Sequence, residues 1–426
     1  MTSNIFLAKK HIFAVLEKYA GTEQNLVVAL SGGADSLFMM VLASEWCKTK
    51  CKDLYAVTVD HALREESYAE ALNVGKIAEK YCTSHIIKKW EHGNIPAGQI
   101  EEMARKARYE LLADACKTLK SKILLVGHNL DEQIETYLIR KEKKSDFSGL
   151  ACMSEARNIS DEIQVIRPCL PFTKQFIKSH LNSIGETWIE DPMNSNDDFL
   201  RVRKRKFICS LSYAQKQAMF DEIRLRGVER NSIETNAVEF LKNYSKIHEY
   251  GFVDLNNDTF NELDENIKCE ILKRCIKLVG RQEYKKSSNQ CKTVLSALYQ
   301  NKSINIGKCI VKSIKNKIRI FRENRNLDLI KISSKSGIWD NRFRFEVFDE
   351  QILSNNSYIK HFDKCVVLSD DIPSYITVTL PSLWIDKKMV YLYNISKYSW
   401  LVDFQFVQDV DFLSIFSCVE YDGGIL

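Results

Sequence analysis

The chain has no C-x-x-C pair, no histidine pair at metal-ligand spacing, no Gly-Lys-Ser/Thr ending to its glycine-rich loop, and no apolar run near the ~20 residues of a membrane span. Its thirteen cysteines are scattered, Cys47 and Cys51 being the closest two. An odd number spread through apolar segments argues for reduced, mostly buried thiols. It argues against a disulfide frame, and against zinc or iron–sulfur sites, which need close-spaced ligands. A formal net charge of +5 over 426 residues does not make a polycation, so any contact with nucleic acid must rest on local clusters. The N-terminal stretch Asn4–Ala20 lacks a compact apolar signal core and reads as a surface helix. A cytoplasmic, water-soluble chain of two or three domains is expected.

What is present begins at Leu26-Val27-Val28-Ala29-Leu30, an apolar run that reads as a strand buried on both faces. Ser31-Gly32-Gly33-Ala34-Asp35-Ser36 follows, and Asp35 and Ser36 open an apolar helix. Strand, glycine turn and helix N-terminus together make an anion site: glycines let backbone N–H groups approach a ligand, and the helix dipole favours negative charge. Ser31 and Ser36 add hydroxyls. Asp35 suits a phosphate site only with a divalent cation between carboxylate and phosphate. The hexapeptide resembles the SGGxDS pyrophosphate loop of the N-type ATP pyrophosphatases, which hold the outer phosphates of ATP and transfer AMP. A glycine turn capped by Asp and Ser is the plain alternative.

Strand-like segments at Leu26–Leu30, Leu54–Val59, Ser84–Lys89, Ile123–Val126 and Ile163–Ile166 alternate with helical ones at Ser36–Lys48, Glu65–Tyr81, Gln99–Leu119 and Asp131–Lys141. This is the pattern of an α/β, doubly wound parallel sheet, which binds ligands at the carboxyl ends of its strands. Three strands end on polar groups: Ser31-Gly32-Gly33, Asp60-His61 and Gly127-His128. Lys141–Phe147 reads as a mobile loop, and Thr173–Ile184 as a helix. The chain then reads as helical from Asp221 to Tyr299, with a hairpin at Lys308–Phe321 and a small β-containing module from residue 337. The expected division is 1–212, a catalytic domain; 213–325, a helical substrate-binding domain; and 326–426, a small α+β module.

Several constellations carry chemistry. Asp60 and His61 can reach a base or ribose, although a lone loop histidine is often only a surface residue. Glu101, Arg105 and Arg108 share one helix side, as a salt bridge or as a phosphate-facing pair. His128-Asn129-Leu130-Asp131-Glu132-Gln133-Ile134-Glu135 sets three carboxylates at a helix start. Such acids cap helices, and they also form a pocket for a cation. Arg201-Val202-Arg203-Lys204-Arg205-Lys206 is either a solvated face or a grip on an RNA backbone.

Read in order, these motifs resemble the tRNA(Ile)-lysidine synthetase family over about the first 210 residues. The likeness rests on the Ser31–Ser36 loop, Asp60-His61-x-Leu63-Arg64, Glu101-x3-Arg105-x2-Arg108-Tyr109, Gly127-His128-x2-Asp131-x-Gln133-x-Glu135-Thr136, and Asp191-Pro192-x-Asn194. Trp339-Asp340-x-Arg342-Phe343 and Leu380-Pro381-x-Leu383-Trp384 also resemble the family's later stretches. Departures are Asn129 for a second histidine, Glu132 for a second aspartate, and Val202 for an asparagine.

The resemblance implies a two-step reaction with ATP and Mg2+. ATP adenylates C2–O of the wobble cytidine in a CAU-anticodon tRNA(Ile); the amine of free L-lysine then displaces AMP. It implies nucleotide binding by Ser31, Gly32, Gly33, Ala34, Asp35, Ser36, Asp60, His61 and His128, with Asp35 also holding the metal. Asp35, Asp131, Glu132 and Glu135 would be catalytic, the last three binding lysine. Arg105, Arg108, Asn194, Arg201, Arg203 and Arg205 would contact RNA. Oligomeric state stays open, a homodimer included. A 2-thiocytidine synthetase on this fold would call for cysteine pairs, and an NAD synthetase-like ligase would not need two further domains. A non-catalytic RNA binder would have little use for the intact loop with Asp35.

Overall fold

The computed structural model describes residues 2–64, 66–93, 100–160, 162–189, 200–281, 286–354, 356–362, 372–392 and 402–407, without the side chains of 2–4, 200–202, 354 and 391–392. The Asp191-Pro192-x-Asn194 motif and the Arg201 side chain therefore lie outside the described residues. Contacts divide the chain into two compact units, the first built on Met1–Asn231 and the second on Ser232–Ile415.

In the first unit the chain runs α1 (Thr2–Ala20), β1 (Asn25–Ala29), α2 (Ala34–Lys50), β2 (Asp53–Asp60), α3 (Ser67–Ala78), β3 (Ser84–Lys89), α4 (Ile100–Thr118) and β4 (Ile123–Leu125). It continues through α5 (Leu130–Glu142), α6 (Phe147–Leu150), β5 (Ala156–Asn158), β6 (Gln164–Ile166), α7 (Lys174–Ser183), α8 (Leu200–Ser210) and α9 (Tyr213–Tyr244). The sheet order is β3-β2-β1-β4-β6-β5, parallel except for β5 against β6. The five expected strands are all present. The antiparallel β5 was not foreseen: Ala156-Arg157-Asn158 has no alternation long enough to announce a strand.

Alternation along β1 sets the layers. Leu26 and Val28 join a core with α1, α2 and α7, whereas Val27 faces a second core with Leu112 and Cys116 of α4. Each face of the sheet is thus covered by helices, as all-parallel pairing requires. Helix α1 is more than a surface helix: Ala8, Ile12, Leu16 and Ala20, at spacing 4, are fully buried. The stretch read as a mobile loop is partly helical. Residues Lys141 and Glu142 finish α5, and Asp146 caps α6 by accepting from Gly149 N at 2.9 Å.

The second unit takes in the end of α9, β7 (Ser245–His248), β8 (Phe252–Asn256), α10 (Asn257–Asn261), α11 (Glu265–Gly280), α12 (Ser288–Tyr299), β9 (Ile304–Ile306), β10 (Cys309–Ile314) and β11 (Lys317–Arg322). The β10–β11 hairpin lies where the sequence places it. The unbroken helical reading of Asp221–Tyr299 does not hold, because β7 and β8 interrupt it and pair into a five-stranded antiparallel sheet, β7-β8-β11-β10-β9. Gly251, at φ +75°, makes the turn between them. The remainder comprises β12 (Ile330–Lys331), β13 (Ser336–Trp339), β14 (Phe343–Val347), α13 (Gln351–Ser354), β15 (Ser357–His361), α14 (Ser374–Thr377), β16 (Pro381–Ile385), β17 (Lys388–Leu392) and β18 (Val402–Phe406). These form sheets β12-β15-β16-β17 and β13-β14-β18. Asp340 accepts from the buried guanidiniums of Arg322 and Arg342, so the Trp339–Phe343 motif is a fold determinant.

Candidate active site

Strands β1 and β4 are neighbours, but α2, which follows β1, and α4, which leads into β4, lie on opposite faces of the sheet. The order reverses at β1, which opens a crevice at the carboxyl ends of these two strands. Gly32, at φ +82°, turns the chain away from β1, and a Cβ there would strike Val74. Gly127 is required for a different reason: a Cβ on it would collide with the Asp35 backbone, so the two loops touch main chain to main chain.

The Ser31–Ser36 loop is held by Ser36, whose hydroxyl donates to Gly33 O at 3.0 Å and accepts from Ser31 N at 3.2 Å. The N-cap of α2 is Gly33, which brings no side chain to the helix N–H groups. Those donors face the end of β1, where an anion would be bound. Ile189 N donates to Gly32 O at 2.9 Å, which ties residue 189 to the loop.

Asp35 accepts from Asn129 Nδ2 at 2.8 Å. Burial raises its pKa, against the opposing effect of that hydrogen bond. No cluster of three or more His, Cys, Asp or Glu side chains forms a metal cage among the described residues. Mg2+ takes one or two carboxylates and completes its shell with phosphate and water. Asp35, a partly buried hard-oxygen donor beside the helix N-terminus, fits that role.

The carboxylates of α5 have distinct surroundings. Asp131 accepts from Lys174 N at 2.6 Å and pairs with Lys216 Nζ at 2.5 Å. Glu135 pairs with Arg205 Nε at 2.8 Å. Glu132 completes a capping box: Asn129 Oδ1 accepts from Glu132 N, and Glu132 Oε2 accepts from Asn129 N at 3.2 Å. Among the described residues Glu132 has no ion pair, and burial together with Asp35 and Glu135 lifts its pKa to about 7.

The basic residues divide. Arg205 faces Glu135 and Lys204 pairs with Glu142 at 2.8 Å, so this part of the basic run packs on α5, while Arg203 is exposed. Arg105 and Arg108 lie over the Tyr109 ring at 5.5 and 5.6 Å. Burial pushes the Tyr109 phenol up, but Arg167, Arg105 and Arg108 bring it below its ordinary pKa. His128 accepts at Nδ1 from Arg167 Nε at 3.3 Å. Burial and the same three guanidiniums hold it well below 6.5, neutral, with its proton on Nε2.

Asp60 turns inward, accepting from Ala62 N at 2.8 Å and Ser67 Oγ at 2.6 Å. His61 has a buried Nδ1 without a hydrogen-bond partner among the described residues. Its pKa is lowered by burial and then by Arg108. Sequence reasoning gave no role to Asn129, Arg167 or Lys216. Asn129 was findable, since an Asn three residues before a Glu at a helix start is a capping-box pattern.

Residues 7–211 match a PP-loop domain model. The tRNA(Ile)-lysidine synthase of Wolbachia pipientis wMel is 30% identical over 354 residues, covering 79% of this chain and 80% of that protein. That of Orientia tsutsugamushi is 28% identical over 90% of this chain and 92% of its own length. That of Rickettsia akari is 29% identical over 75% of each.

Proposed function

The chain belongs to the tRNA(Ile)-lysidine synthase family, and on that premise we propose how its residues share the work. It is an ATP-dependent ligase that joins lysine to C2 of the wobble cytidine of CAU-anticodon tRNA(Ile), through an adenylated tRNA, releasing pyrophosphate and AMP.

Ser31 to Ser36 and the open N-terminus of α2 bind the outer phosphates of ATP, aiming backbone N–H groups at the departing pyrophosphate. Asp35, oriented by Asn129, holds Mg2+, which would neutralise phosphate charge when bound. The Nδ1 of His61, which has no hydrogen-bond partner among the described residues, and the Nε2–H of neutral His128 hold the nucleotide in this reading. Arg105, Arg108 and Arg203 serve the RNA, and Arg205 anchors Glu135. Asn194 and Arg201 are retained as RNA contacts on family likeness alone. Residues 213–325 and 326–426 are proposed to carry the rest of the tRNA.

Asp131 and Glu135 already hold Lys216 and Arg205, and so shape the acidic wall of the lysine site. Glu132 is the one of the three without an ion pair among the described residues. Lysine reacts only as a neutral amine, from an ammonium whose unperturbed pKa is ~10.4. Glu132, with its pKa near 7, accepts that proton. The amine nitrogen then bonds to C2 as the C2–O bond to AMP breaks.

The observation that carries this reading is the meeting of the Ser31–Ser36 loop, Asp35 and the α5 carboxylates at the β1–β4 crevice. Mass analysis of the wobble nucleoside after incubation with tRNA, ATP and lysine is the test, with D35N as control. Lysidine from the wild type and none from D35N is expected; unmodified cytidine from both overturns the reading. Among the described residues no helix is long and apolar enough to cross a membrane. The described cysteines are free thiols, and we place the reaction in the cytoplasm.

A further inference from the structure

The second unit contains a cavity of about 450 Å3 between α10, α11, α12 and the β10–β11 hairpin. This lies within the range of small-molecule pockets. On its wall is Lys268, only 7% exposed. The ammonium donates to Asn261 O at 2.8 Å and to the Tyr299 hydroxyl at 3.4 Å. Among the described residues no carboxylate pairs with it. The neighbouring acids of α11 are taken, Glu265 by Lys292 and Glu270 by Arg274. A buried cation without a counter-ion is costly, and the cost is relieved when an anion enters beside it.

The remaining lining narrows the class of anion. Asn257, Asn261 and Asn301 bring amides, which both donate and accept, and Ser313 brings a hydroxyl. Tyr299 is 60% exposed, so its ring is open to stacking. Side chains of the unit's hydrophobic core close the floor. One buried ammonium, several amides and one open aromatic face are the complement of a phosphate joined to a flat heterocycle. We infer that this cavity is a binding site for a nucleoside monophosphate unit, in addition to the ATP site of the first unit. The unit is either a free nucleotide or an unstacked residue of an RNA, and the same chemistry recognises both.

The test is photolabelling of the full-length protein with 8-azido-AMP, read by peptide mapping, so that each label is located on the chain. Label on peptides spanning 257–268 and 293–301 is expected, competed by inorganic phosphate in excess. K268M should lower this label at least tenfold, leave label in the first unit unchanged, and be rescued by K268R. Y299A, at an exposed position, should lower it without altering the thermal midpoint, which separates lost binding from lost folding. A tRNA transcript carrying 4-thiouridine forms the second arm. Crosslinks from it to the same peptides identify an RNA residue as the ligand, and label from 8-azido-AMP alone identifies a free nucleotide. No label there from either probe, or label undiminished in K268M, overturns the inference. Loss of label in the first unit alone would count against the ATP-site reading and leave this one standing.

Discussion

Glu132 combines two properties that pull in opposite directions. Its carboxylate is raised from 4.5 to about 7 by burial and by the nearby charges of Asp35 and Glu135. A carboxyl group with a raised pKa supports the fold fully below its unfolded value, and that support is lost as pH climbs through about 7. E132Q keeps an oxygen for the Asn129 cap but stays neutral. It should therefore be more stable than the wild type above pH 7, by on the order of 1–3 kcal/mol, in denaturant titrations at pH 8. The same change should lower kcat/KM for lysine by about 10²-fold and abolish its rise with pH near 7. A variant both less stable and fully active would contradict both assignments. At this scale the sequence displays the acids but not their partners. Asp131, Glu132 and Glu135 look alike in a string. Lys216 and Arg205, which distinguish them, lie 85 and 70 residues away.

Among the elements, a tightly constrained junction is where the β4–α5 turn meets the start of α2. Gly127 allows two backbones to touch there. G127A must separate them, and overpacking of this kind costs about 1–3 kcal/mol. ATP–pyrophosphate exchange in the presence of tRNA should fall more steeply than stability, because the displaced atoms belong to the phosphate loop. The β7–β8 hairpin presents a different case. His248 and Arg319 both bind the Asp254 carboxylate, at 3.2 Å and 2.7 Å. Burial opposes ionisation of Asp254, and these two partners overcome it, holding the pKa at about 2. D254A would strand a buried guanidinium and should cost about 3–5 kcal/mol by chemical denaturation, with no effect on ATP binding. This hairpin escaped sequence reading because its strands are four and five residues long and sit between helices. The partner that stabilises β8 is β11, about 65 residues further on. Strands β1 to β4 were legible because each is a compact apolar run flanked by helix and turn signals.

Over the whole chain, the two units have separate hydrophobic cores. Calorimetry should resolve two transitions. ATP with Mg2+ at 100 times its Kd should stabilise one of them by about 2.7 kcal/mol and leave the other in place. A single transition moved as a whole would show that the units unfold together. Five of the six strands of the catalytic sheet, all but β5, were legible to within a residue or two because their pattern is local and the loop motifs are ordered. The later part was legible in class and in its β10–β11 hairpin only, since its three antiparallel sheets also join strands distant in sequence. The main sheet carries one more consequence. One rim is closed by β5, a three-residue strand running against its neighbour with Arg157 and Asn158 outward, and the other ends in Lys88 and Lys89. Neither offers a long apolar ladder of free amides and carbonyls, so strand addition is a poor route to polymerisation or to capture of a stray β-segment while the enzyme handles its much larger RNA.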